Sequence, residues 1–273
     1  LGEDFLKFLI KYAMENCLED INFLSDRAIK EEQQLPKEKR NEYSLIERMQ
    51  MVIDNDFERI TYTEAIEMAL FGAKQIHPRT FEPLLSRKIP MRIRSTFDIK
   101  NPGTIVTASP SSAIKKTVKC VSAIRNIGLM GISGGIMFAS PGSASMVFSV
   151  LAEKKINVIM VSSNPSEASI SIVVKKPDLE KAVNTLEMNL LGKIIKNIEI
   201  TQNASIIAVI GSGMKGTVGI ASKVFSAVQK RKVNVIMIAQ GSSELNLAFV
   251  VKDSDCKSVI ESLHKEFRLD KIN

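Results

Sequence analysis

Between Ile127 and Phe267 the chain runs through the same succession of apolar rhythms twice. "IGLMGIS" (127–133) and "SIIAVIG" (205–211) are short apolar runs that stop at a polar or glycine position, as strands entering tight turns do. "SASMVFSVLAEKK" and "IASKVFSAVQKRK" then place apolar residues at helical spacing, with lysines opposite. "INVIMVS" and "VNVIMIAQ" read as strands, followed by a polar turn holding Asn164-Pro165 or Gly241, and then by the alternating "ASISIVV" and "LNLAFVV". A second amphipathic helix is predicted over Pro177 to Leu190 and again over Asp253 to Phe267. Strand, helix, strand, strand, helix is the split βαβ order of a ferredoxin-like α+β sandwich, with helices on one face of an antiparallel sheet.

The two passes are copies. At a fixed offset of 77 positions Gly134 meets Gly211, Met137 meets Met214, Gly142 meets Gly219, Asn157 meets Asn234 and Ser166-Glu167 meets Ser243-Glu244. Roughly a third of about 50 aligned positions are identical, far above chance for one register. The first copy gains a fourth strand at about Lys193 to Ile200, whereas the second ends soon after its second helix. Its open edge predicts that "TVKCVSAI", Thr117 to Ile124, crosses over to pair with it.

Composition narrows the function. No apolar run reaches the ~20 residues of a membrane span, and no leader pattern opens the chain, which points to a cytoplasmic protein. The first residue is Leu1 rather than Met. Cys17, Cys120 and Cys256 form no CxxC pair, so no metal site or disulfide framework is expected. The net charge of +7 is spread among acids, as in "KEEQQLPKEKRNE", and aromatics are 5%, which disfavours nucleic acid.

"GSGMKG", Gly211 to Gly216, matches G-x-G-x-x-G. The acid that a dinucleotide fold needs after the next strand is absent, since that strand ends in Ala239-Gln240, and the module is too small. A glycine-containing loop entering a helix still presents unpaired N–H groups and the positive end of the helix dipole, suited to a small carboxylate. Ser140-Pro141-Gly142 and Thr217-Val218-Gly219 are such loops, and the amides of Asn157 and Asn234 could hold the rest of an amino acid. The alternative is that these glycines only allow tight turns.

The paired copies resemble the ACT regulatory domains of aspartate kinases, above all in "VIGSGMKGTVGIASKVFSAV" and "NVIMIAQGSSELNLAFVV". "ITYTEAIEMALFGAKQIHPRTFEPLLSRKIPMRIRSTF", Ile60 to Phe97, is similar to the end of the kinase domain in that family. The resemblance implies an effector site at Met137, Ser140, Gly142, Asn157, Val158 and Ser163 in the first copy, and at Met214, Thr217, Gly219, Asn234, Val235 and Gln240 in the second. It implies lysine or threonine as feedback effector, with ACT units paired across a dimer and effectors buried between them. The first copy departs from the family's "SQGSSE" by reading "SSNPSE".

The N-terminal part is similar to kinase-domain helices, but the family's K-F-G-G-T-S, aspartate and nucleotide segments are missing; "MQMVIDNDFER" stands where the last two would be. Lys74 and Gln75 of "FGAKQ" match a nucleotide-contacting pair and read as a relic. His77 reads as a structural histidine, past a helix opened by a capping box of Thr61 and Glu64. The expected organisation is a kinase remnant over 1–112, a first ACT domain over 125–200, and a second built from 113–124 with 201–273. No catalytic or metal-ligating residue is assigned. The leading expectation is a regulatory ACT pair, as a homodimer or as partner of a catalytic kinase subunit. A second is a working, MgATP-dependent aspartate kinase of which this chain holds part; a third is an oligomerisation module without ligand.

Overall fold

The computed structural model describes residues 2–33, 44–54, 59–73, 76–94, 103–108, 117–134, 140–164 and 168–269. The chain divides into two units, one of Leu1–Arg59, Pro90–Val106 and Lys271–Asn273, the other of Ile60–Ile89 and Thr107–Asp270. In the first, helices α1 (Gly2–Asn16), α2 (Leu18–Gln33) and α3 (Leu45–Asp54) pack on one another. Ile21 and Ser25 are buried there, while Phe8, Tyr12 and Phe23 stay exposed. Beyond the short β1 (Arg59–Thr61), β2 (Met91–Ile93) pairs antiparallel with β3 (Thr104–Thr107), Met91 opposite Val106. Among the described residues no helix is long and apolar enough to cross a membrane.

The second unit opens with α4 (Tyr62–Leu70), whose start is the expected capping box: Thr61 Oγ1 accepts from the Glu64 N–H and the Glu64 carboxylate accepts from the Thr61 N–H. His77 Nδ1 accepts from the Arg79 N–H at 3.3 Å, capping a turn at Pro78–Thr80 ahead of α5 (Glu82–Ser86). The expected backbone bond of this histidine is thus the cap of a local turn. Tyr62 and Phe81 are buried edge to face at 6.0 Å, and the Tyr62 hydroxyl donates to the Ile89 carbonyl.

The repeat forms a six-stranded antiparallel sheet, with α6 (Ser143–Glu153) and α7 (Lys176–Leu190) from the first copy and α8 (Ile220–Gln229) and α9 (Cys256–Glu266) from the second. Its strands are β4 (Cys120–Gly134), β5 (Val158–Asn164), β6 (Ser169–Lys175), β7 (Ile195–Ile210), β8 (Met237–Ala239) and β9 (Asn246–Lys252), in the order β5-β6-β4-β7-β9-β8. β4 and β7 are shared. Ile127–Ser133 pairs with β6 and, on its other side, with the first half of β7; Cys120–Ile124 pairs with Ile206–Ile210, beside β9. Each half of the sheet thus has the ferredoxin-like order, and each copy's fourth strand is the leading half of the other copy's first strand.

This differs from the reading of Lys193–Ile200 and "SIIAVIG" as separate strands, and of "TVKCVSAI" and "IGLMGIS" likewise. The physical reason lies at Asn126 and Asn203, equivalent positions that take left-handed backbone with φ 58° and 56°. Each absorbs an irregularity as a bulge, so the strand bends without breaking its pairing. The sheet folds over at this crossing, and its outer strands β5 and β8 approach each other.

Three apolar clusters follow. Under α6 and α7 lie Met130, Ile132, Val147, Leu151, Ile172, Leu179, Ala182 and Leu186. Under α8 and α9 lie their equivalents 77 positions on: Ile207, Val209, Val224, Val228, Phe249, Cys256, Val259 and Leu263. A third, between the two halves of the sheet, contains Ile127, Leu129, Met160, Val173, Ala204, Ile206, Met237 and Val250, again in equivalent pairs. Met68 and Phe71 pack against it from the α4 side. Side-chain alternation along each strand sends one set to the helices and the other to the third cluster.

Candidate functional site

Helices α6 and α8 begin in the same way. Gly142 and Gly219 cap them with φ +93° and +87°, neither helix has a side-chain cap, and among the described residues nothing lies within 4 Å of where a Cβ would stand on either glycine. Left-handed backbone at these positions suits glycine, and each helix N-terminus presents its first N–H groups without a side-chain cap. Ser140 is exposed, and its carbonyl accepts from the Ser143 hydroxyl at 2.8 Å. Thr217 is also exposed, and its Oγ1 donates to the Gly213 carbonyl at 2.7 Å.

The other candidates fall into two groups in each copy. Strand register puts Val158 in a row with Val174 and Gly128, whereas Ser163 stands in a row with Ile170 and Ile132, near the end of β4 at Gly134. Four residues of β4 and of β6 separate the rows, about 13 Å, the extra residue of β5 being taken up by a bulge between Val158 and Met160. Ser140, Gly142 and Ser163 therefore belong to one end of the first copy, Asn157 and Val158 to the other. In the second copy Gln240, exposed after Ala239, stands at the loop end, and the exposed Asn234 at the far end with Val235. Val235 packs against the second core, and Met214 is buried in it. A small ligand cannot bridge both groups within one copy. Met137, Lys74 and Gln75 lie outside the described residues.

The glycines of "GSGMKG" have structural duties. A Cβ at Gly211 would meet the Thr117 carbonyl oxygen at 2.3 Å, where β4 begins alongside, and Gly216 has φ +68°. Among the described residues no group of histidines, cysteines or carboxylates could hold a metal ion.

Three carboxylates are found at the second loop, none assigned by the sequence to a site: two hold the loop itself and one the start of the neighbouring β9. Glu64 lies almost fully buried at the start of α4; its Oε2 accepts from Thr61 and its Oε1 accepts from the Ser212 N–H at 2.7 Å. Burial raises its pKa, but the hydrogen bonds from Thr61 and Ser212 outweigh that and hold the carboxyl below its ordinary range. Glu67 accepts from the Asn246 amide at 2.7 Å. Glu244, itself at φ +54°, accepts from the Gly216 N–H at 2.8 Å. The signal in the sequence was the repeated Ser-Glu of the two copies; nothing there tied Glu64 to a loop 148 positions away.

Comparison with known proteins agrees with this geometry. Residues 130–190 and 207–267 match the ACT domain family. The chain is 35% identical over 221 residues to the chloroplastic bifunctional aspartokinase/homoserine dehydrogenase 2 of Zea mays, an alignment covering 78% of this chain and 24% of that protein. It thus spans about a quarter of that relative's length. The aspartate kinase of Clostridium acetobutylicum superposes with a TM-score of 0.70 at 26% identity, covering 77% of this chain and 48% of that one. Escherichia coli aspartokinase III in complex with lysine and aspartate superposes with a TM-score of 0.64 at 26% identity, covering 77% and 46%. From the twofold ACT match, the aspartokinase relatives and the shared fold, the chain belongs to the aspartate kinase family and carries its paired ACT domains.

Proposed function

We propose that the chain is an amino-acid sensor whose ligand sits between two molecules, at the glycine-capped loops. The observation that carries this reading is the separation of the candidate residues into two ends of each copy. β5 is an outer strand of the sheet, with Val161 and Ser163 exposed along it. A second molecule lying antiparallel along β5 brings its Asn157 and Val158 to the Ser140, Gly142 and Ser163 end of the first. An amino-acid carboxylate then meets a helix N-terminus of one molecule, and its remainder meets the strand start of the other.

Lysine or threonine is the effector in this reading, and the lysine complex of the E. coli relative supports lysine. Residues 1–112, with Lys74 and Gln75, are a portion of a kinase domain, and 125–200 and 113–124 with 201–273 are the two ACT domains. The exposed Phe8, Tyr12 and Phe23 support the first point, because apolar helix faces of this kind belong to a larger core. MgATP is the nucleotide partner of the whole kinase. The regulatory role is then to bias the kinase through the dimer, whether the catalytic segments lie in the same polypeptide or in a partner subunit.

Thermal unfolding with lysine, threonine, methionine, aspartate and MgATP tests this, together with sedimentation. Ligand at about 100 times its dissociation constant adds about 2.7 kcal/mol to native stability. Stabilisation by lysine or threonine that rises with dimer fraction is expected. Stabilisation by none of them leaves an oligomerisation module, and stabilisation by MgATP assigns nucleotide binding to this chain.

A further inference from the structure

The second copy's loop is fastened to a helix outside the copy. At its entrance the Gly211 N–H donates to the Leu245 carbonyl and the Ser212 N–H to Glu64 of α4. Farther along, the Gly216 N–H donates to Glu244, and two residues on from Glu244 the Asn246 amide donates to Glu67, one helical turn from Glu64. α4 is in turn seated on the third core by Met68 and Phe71, and the Phe71 carbonyl accepts from the Ser122 hydroxyl at 2.7 Å. The carboxylate of Glu64 is shared between the cap of its own helix and the Ser212 amide of the loop. Whatever moves Ser212 must therefore loosen the start of α4, or lose a part-buried charge-assisted bond.

We propose that Glu64 is a positioning residue for the loop Gly211–Gly219, so that the shape of that loop and the seating of α4 are one coupled equilibrium. The inference rests on the sensor reading only for its consequence, that a ligand at Thr217 and Gly219 alters α4 and the chain that follows it. Coupling of this kind is reciprocal: a partner that holds α4 in place also tunes the loop for its ligand.

Amide hydrogen exchange on the full chain tests it without any ligand. Glu64→Ala is expected to speed exchange at 213–219 about tenfold, besides fraying α4. Ser212→Pro removes the donor from the opposite side and leaves the capping box intact; Gly211 already has the extended backbone, φ 175° and ψ 134°, that a following proline accepts. It is expected to speed exchange at 62–70, and the double variant no more than Glu64→Ala alone. Glu64→Gln, which keeps an acceptor, should restore much of the loop protection. A loop that keeps wild-type protection in Glu64→Ala while α4 frays gives Glu64 a capping role only and overturns the proposal. So does an unchanged α4 in Ser212→Pro, which decides the matter should Glu64→Ala fail to fold. The same samples with lysine or threonine, binding being followed by calorimetry, separate the two readings: binding without a change in α4 overturns the coupling, whereas absence of binding overturns the sensor and leaves the ligand-free result to decide the coupling.

Discussion

Gly128 lies directly beneath Leu179, so that a Cβ at 128 would stand 2.5 Å from Leu179 Cδ2. The equivalent pair in the second copy is Ser205 and Cys256, both buried. Strand and helix have exchanged bulk: where the strand gains a side chain, the helix loses two carbons' worth. Cys256 is thus a small core residue, and burial raises its thiol pKa, away from reactivity. Cys256→Leu is expected to destabilise by about 1–3 kcal/mol through overpacking. Adding Ser205→Gly should recover part of that loss, a non-additivity readable from urea midpoints.

Asn126 and Asn203 make the next prediction. Left-handed backbone costs an ordinary L-residue about 1–2 kcal/mol, which glycine avoids and asparagine reduces. Either asparagine changed to valine should destabilise by about that amount or more, and either changed to glycine should leave stability close to wild type. Chemical denaturation decides; equal losses for valine and glycine would make the side chains, not the backbone, responsible.

Phe249 is fully buried and packs edge to face on Phe225 at 5.7 Å, at the position held by Ile172 in the first copy. Phe249→Ala is expected to cost about 3–5 kcal/mol. Because β4 and β7 serve both copies, the loss should lower one shared transition. Fluorescent labels placed in α6 and in α8 should then report a single midpoint, and two separated midpoints would make the copies independent.

The Glu64 carboxyl gives a pH dependence of known sign. Its folded pKa lies below its ordinary value of 4.5, so its ionised form stabilises the fold above that value, and the contribution fades as pH falls through the folded pKa. Glu64→Gln should therefore be less stable than wild type at neutral pH, with the gap narrowing below about pH 4.5. Unfolding midpoints of both proteins from pH 7 to pH 3 measure it.

What the sequence made legible was local. The apolar rhythm of "SASMVFSVLAEKK" is helix α6, and Thr61 with Glu64 forms the cap that their spacing implies. The 77-residue offset, read from identities such as Asn157 and Asn234, also carries through to the packing, since the core residues fall into equivalent pairs. Two things were not legible. An asparagine in left-handed backbone looks in sequence like a turn, so β4 and β7 read as four strands instead of two. Contacts such as Glu64 to Ser212 and Glu67 to Asn246 join residues 148 and 179 positions apart, and no periodicity encodes them. Of the candidate site, the loops and their capping glycines were visible, while the burial of Met214 and the split of each copy's candidates between two ends depend on register.

The sharing of β4 and β7 also sets an order of events during synthesis. The segment Cys120–Ile124 leaves the ribosome about 82 to 90 residues ahead of its partners in Ile206–Ile210, and the first copy lacks its closing strand until Ile195 and its successors emerge. Neither copy can be finished on its own. The nascent chain must hold the apolar faces of β4, β5 and β6 unsheltered until β7 arrives, and a gene split or a stop codon between the copies would yield two sticky fragments instead of two domains.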